Sequence, residues 1–157
     1  MASRRKGRIL AFQALYSWDA HYGQTGDASI PDGLLDFSWA LKTQNAAQPL
    51  DDELMAFSRL LVTGTIENIT GIDNVIKKHL KNWELERLNR VDLAVIRMSV
   101  YTLMFQTDMP PTIVIDEAIG ISKEFGADDS YRFVNGILDN IRKALEATAS
   151  PASGTKK

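Results

Sequence analysis

The stretch Asn89–Phe105, NRVDLAVIRMSVYTLMF, constrains the fold more than any other part of the chain. At 100° per residue, Val91, Ala94, Val95, Met98, Tyr101, Met104 and Phe105 cover one side of a helix, and Leu93, Ile96, Val100 and Leu103 cover most of the other. A helix that is apolar nearly all round is, in a globular protein, the buried centre of a bundle. Asn89 suits the N-cap, and Asp92 places a carboxylate in the first turn, where free N–H groups and the helix dipole favour it. Only Asp92 and Arg97 interrupt the apolar surface. The uncharged run Met98–Thr107 is about half of the ~20 residues a membrane span needs, so a core helix is expected and not an anchor.

A chain of 157 residues is long enough for one domain with a full hydrophobic core. The absence of cysteine excludes disulfides, thiolate zinc sites and cysteine nucleophiles together. No apolar signal stretch follows Met1, so the expected location is cytoplasmic. The net charge of −2 makes the molecule as a whole a poor electrostatic partner for nucleic acid. The distribution of charge says more. Arg4, Arg5, Lys6 and Arg8 precede the first acidic residue, Asp19, and form a basic N-terminal arm (1–8) suited to phosphate contacts. On charge alone, a frayed, solvated terminus is the alternative.

From Arg8 to Tyr22, Leu10, Ala14 and Trp18 make a core face, with Ala11, Leu15 and Tyr22 beside it. The opposite side, which includes Gln13 and Tyr16, is mixed and suits an interface. A polar loop leads to Pro31, which is expected to start a second helix over residues 32–42. A third helix carries Leu54 to Ile69 and breaks near Thr70–Asp73, with Asp73 capping a fourth that contains Val75, Ile76, His79, Leu80 and Trp83. His79 has no second histidine at ligand spacing and reads as structural. Pro110-Pro111 ends the central helix and precedes a sixth, striped by Ile113, Val114, Ala118, Ile121 and Phe125, with Gly126 expected in a left-handed cap. The last helix, about 129–147, collects Phe133, Val134, Ile137, Leu138, Ile141 and Leu145 in one arc, with Asn135-Gly136 in its middle. The tail 150–157 is expected to be disordered. The chain thus reads as all-α, a single compact bundle of about seven helices over residues 1–149 around a buried central helix 89–106.

Nothing in this pattern converges on catalysis. With only His21 and His79 available, serine or threonine nucleophiles lack a base. The pairs Asp116-Glu117 and Asp128-Asp129 sit near helix starts, where capping accounts for them. No glycine-rich phosphate loop is present. A non-enzymatic binding module without metal or cofactor is expected.

The C-terminal run PPTIVIDEAIGISKEFGADDSYRFVNGILD closely resembles the signature of the NusB family, which reads Pro-x-x-Val-x-Ile-Asn-Glu-Ala, then Lys-x-Phe-Gly, then Asp-Ser-x-x-Phe-Val-Asn-Gly-Val-Leu-Asp. RRKGRILAFQALYSWD is similar to the family's basic arm and Gln-Ala-Leu-Tyr segment, and NRVDLAVIRMSVYTL to its central helix. The resemblance implies an all-helical bacterial transcription antitermination factor. Such a factor pairs with NusE, the ribosomal protein S-ten, on single-stranded boxA RNA of nascent ribosomal transcripts, within the RNA polymerase antitermination complex and away from membranes. Some members form a homodimer.

Position by position, the resemblance places RNA contacts at Arg4, Arg5, Lys6 and Arg8 and at Asp129, Ser130, Tyr131, Arg132 and Phe133, and places NusE contacts at Tyr16 and Asp92. Cations for phosphates and rings for splayed bases suit single-stranded RNA. Phe133 also belongs to the core arc, and capping is a second role for Asp92. The chain departs from the family pattern at Asp116, Tyr131 and Gly120-Ile121-Ser122. A protein-interaction scaffold without RNA binding, or an accessory domain of an RNA-modifying system, are the other readings.

Overall fold

The computed structural model describes residues 3–37, 39, 52–80 and 84–149. Six α-helices are traced among them: α1 (Ser3–Thr25), α2 (Asp52–Glu67), α3 (Ile69–Lys78), α4 (Arg90–Phe105), α5 (Pro111–Phe125) and α6 (Ser130–Ala149), with 3-10 turns at Leu34–Asp36 and Leu85–Arg87. No strand occurs among the described residues, and no described helix is long and apolar enough to cross a membrane.

The central helix α4 packs against each of the other five. Every residue from Asp92 to Thr102 is buried, which is why its sequence is apolar on both sides. Asn89 caps it as expected, its side-chain oxygen accepting from the backbone N–H groups of Val91 and Asp92. The two interior charges are both partnered. Arg97 donates to Asp73 and to Asp19, and Asp92 accepts from Ser130. Over Arg97 lie the stacked rings of Trp18 and Tyr22, 4.5 Å between centroids. Arg90 extends the network, reaching Asp19 and the carbonyls of Leu85, Glu86 and Leu88.

Several expectations are corrected. The basic segment continues α1 back to Ser3, because its first turns are held from two sides: Ser58 of α2 donates to the Gly7 carbonyl, and Glu117 of α5 pairs with Arg5. Where a helix is expected over 32–42, residues 34–36 form a 3-10 turn between Gly33 (φ 87°) and Phe37 (φ 56°), and Trp39 is helical. Burial of the Phe37 ring against Trp39 offsets its left-handed backbone. Residues 38 and 40–42, like Trp83 and the tail 150–157, lie outside the described residues. The break after α2 falls at Asn68, whose side chain donates back to the Gly64 carbonyl. Gly71 therefore sits within α3, and Asp73 is buried against Arg97 and caps nothing.

In α5 the buried stripe is Val114, Ile115, Ala118, Ile121 and Ser122, leaving Ile113 exposed. Gly126 is extended, with no left-handed cap; it is small because a Cβ there would meet the Ser122 carbonyl at 2.7 Å. Asn135-Gly136 is mid-helix in α6, as its flanks imply.

Candidate nucleic-acid interface

Helix α5 lies between the two segments expected to meet RNA. On one flank, Arg5 Nε is 2.9 Å from Glu117 Oε1, and the Arg5 guanidinium rests on the backbone at Gly120. On the other, Lys123 places its ammonium 4.8 Å from the centroid of the Tyr131 ring. Positions 120 and 123 are neighbours along a helix surface. The basic end of α1 and the start of α6 are therefore joined through one face of α5 and do not lie on opposite sides of the molecule.

The four cations of α1 differ in their surroundings. Arg4 is exposed and lies 4.8 Å over the Phe57 ring of α2; Lys6 is half-buried. Arg8 is only 6% exposed, close to Phe57, Met109 and Glu117. Burial lowers its pKa, against the pull of Glu117, with Arg4 and Arg5 adding to the lowering. Its charge is directed into the protein, where it braces the first turns of α1.

At the start of α6, Asp129 is exposed and Ser130 is buried. The Ser130 hydroxyl accepts from the Ala127 N–H at 3.1 Å and donates to Asp92 Oδ2 at 3.2 Å, so it ties α6 to α4. Tyr131 is half-buried between two cations, with Arg132 donating to its hydroxyl at 3.1 Å. Phe133 is half-buried; it packs on the core and lines a cleft of about 320 Å³ with Arg87, Leu88, Asn89 and Asp92. It is thus part of the core and of the surface at once.

Tyr16 is 47% exposed on the rim of a shallow apolar depression formed with Phe12, Gln13, Val91 and Phe125. Asp92 lies in the cleft beside Phe133, buried, with Oδ1 lacking any hydrogen-bond partner. Burial pushes its carboxyl above the ordinary value of 3.8, against the Ser130 hydrogen bond. A desolvated carboxylate oxygen left open in this way suits a donor from outside the chain.

Sequence reasoning missed Lys123, Glu117 and Phe57 as members of this surface. Glu117 was assigned to capping, yet it stands in the second turn of α5 and pairs with Arg5. The Lys-x-Phe-Gly element was the available signal for Lys123. His79 is structural, its Nδ1 3.0 Å from the Val75 carbonyl oxygen. Among the described residues no group of three His, Asp or Glu side chains could hold a metal ion.

Comparison with known proteins agrees with this fold. The NusB family model matches residues 5–143. The chain is 52% identical over 139 residues to the transcription antitermination protein NusB of Treponema denticola, covering 88% of this chain and 95% of that one. Among solved structures, NusB of T. maritima superposes with a TM-score of 0.72 at 34% identity, covering 89% of this chain and 90% of that one. NusB in a complex of antitermination factors NusB and NusE with double-stranded RNA superposes with a TM-score of 0.74 at 28% identity, covering 92% and 98%. On the extent of the family match and the identity to its curated members, the chain belongs to the NusB family.

Proposed function

We propose that this chain is a transcription antitermination factor that binds boxA-type single-stranded RNA of nascent ribosomal transcripts together with NusE, as a non-enzymatic adaptor in the cytoplasm. The observation that carries the RNA reading is the bridge made by α5, which brings Arg5, Lys123, Tyr131 and Arg132 onto one face. On a body of net charge −2 this patch is modest, so the chain alone binds RNA weakly. A partner that extends the surface raises the effective concentration of the second contact. Tyr16 and the open oxygen of Asp92 are the groups that meet NusE, one offering a ring and hydroxyl and the other an acceptor.

The test is a gel shift of boxA-type RNA with the chain, with NusE and with both, at two salt concentrations. Retention should be greatest with both proteins and should fall as salt rises. Absence of any shift with both proteins at low salt overturns the RNA reading. Retention indifferent to NusE overturns the cooperative part.

A further inference from the structure

Gly120 stands in the middle of α5, where glycine is less favourable than alanine because of the backbone freedom it loses. Its φ is ordinary, so no turn calls for it. A Cβ built there would meet Arg5 Nη2 at 2.3 Å, Nη1 at 2.6 Å and Cζ at 2.8 Å. The space a side chain would occupy is thus filled by the tip of Arg5 from another helix.

The guanidinium is held there by its Nε, which pairs with Glu117 one turn earlier on α5. Its two Nη nitrogens make no hydrogen bond among the described residues, and the Arg5 side chain remains 42% exposed. One turn later, next along the helix surface from Gly120, stands the exposed Lys123. Two cations facing solvent, one of them ion-paired with the Glu117 carboxylate beneath it, form a receptor for an anion. The forked Nη edge matches the oxygens of a phosphate.

We propose that Gly120 is the floor of a phosphate seat, in which the Nη edge of Arg5 and the ammonium of Lys123 take one phosphodiester of single-stranded RNA. The inference rests on the RNA reading given above and adds to it a named subsite with the residue that makes room for it. Gly120 is a positioning residue: it touches no RNA and acts through where it lets Arg5 lie. A side chain at 120 would displace the end of a flexible arginine and no backbone, so the helix tolerates it while the seat is lost.

The experiment compares the full chain, Gly120→Ala, Arg5→Gln and the double variant in fluorescence anisotropy against a boxA-type oligonucleotide and a scrambled one, across a salt series, with thermal melts alongside. Gly120→Ala should melt at or above the wild-type temperature and yet bind more weakly. Its slope of log affinity against log salt should be shallower by about 0.7, the share of one phosphate on a single strand. The double variant should bind no worse than Arg5→Gln, and the loss should be equal for both oligonucleotides, because a phosphate contact reads no base.

Wild-type affinity and slope in a folded Gly120→Ala would overturn the seat and leave the RNA reading standing. So would losses that simply add in the double variant, or a loss confined to one sequence. Failure of the wild type to bind either oligonucleotide, even with NusE added, would remove the RNA reading and the seat together.

Discussion

Arg97 and Asp73 are joined inside the molecule by two parallel hydrogen bonds, Nε to Oδ1 and Nη2 to Oδ2, each 2.9 Å long. The remaining arm of the guanidinium reaches Asp19 at 2.8 Å, so one buried cation locks α1 and α3 to the central helix. Removing one member of a buried ionic group leaves uncompensated charge, which typically costs about 3–5 kcal/mol. Arg97→Met should therefore lower stability by at least about 3 kcal/mol in urea unfolding. Arg90→Met should cost far less, since Arg90 is 38% exposed and its pairing is screened by water.

Asp92 should give the stability a pH dependence of identifiable sign. Burial raises its carboxyl above 3.8, with the Ser130 hydrogen bond opposing. Between the unfolded value and the raised folded value, the folded state carries more protons than the unfolded one, so stability declines as pH rises through that window. Asp92→Asn should remove this decline, seen as a flatter dependence of the urea midpoint on pH as pH rises above 3.8. If Asp92 also receives a donor from NusE, the same variant should weaken the pairing in calorimetric titration.

Two helical glycines should respond oppositely to alanine. At Gly64 a Cβ would lie 2.2 Å from Tyr101 Cζ, and that ring is buried, so Gly64→Ala should cost about 1–3 kcal/mol by overpacking. At Gly136 nothing lies within 4 Å, and Gly136→Ala should stabilise by roughly 0.5–1 kcal/mol. Thermal melts of the two variants should move in opposite directions.

Phe57 carries Arg4 and Arg8 over its ring at 4.8 and 5.4 Å. Phe57→Leu keeps apolar bulk and removes the aromatic face, forfeiting about 0.5–1 kcal/mol for an exposed cation–ring contact. The chain should stay folded while RNA affinity falls a few-fold at fixed salt. Unchanged affinity would mean that Arg4 needs no platform.

The all-helical architecture and the place of the central helix were legible before any coordinates, because helix period, the Asn89 cap and the Pro110-Pro111 stop act between residues a turn or less apart. The relation of Lys123 to Tyr131 was half visible, through the spacing of two family elements. Asp73 and Glu117 were both misread as caps, since a carboxylate near a helix end has a sufficient local explanation. Their actual partners, Arg97 and Arg5, arrive from other helices.

Hydrophobic pattern along the chain was enough to say which helices form and which one is innermost, for side chains repeat on a face with a local period. Which charges meet was settled by packing between helices far apart in sequence: Arg97 finds Asp19 across 78 positions, and Arg8 turns inward because Phe57, Met109 and Glu117 surround it. No local rule carries that information. The basic segment thus became two buttressing turns of a helix with one arginine laid on Gly120, and not the frayed, solvated terminus that charge alone left as the alternative.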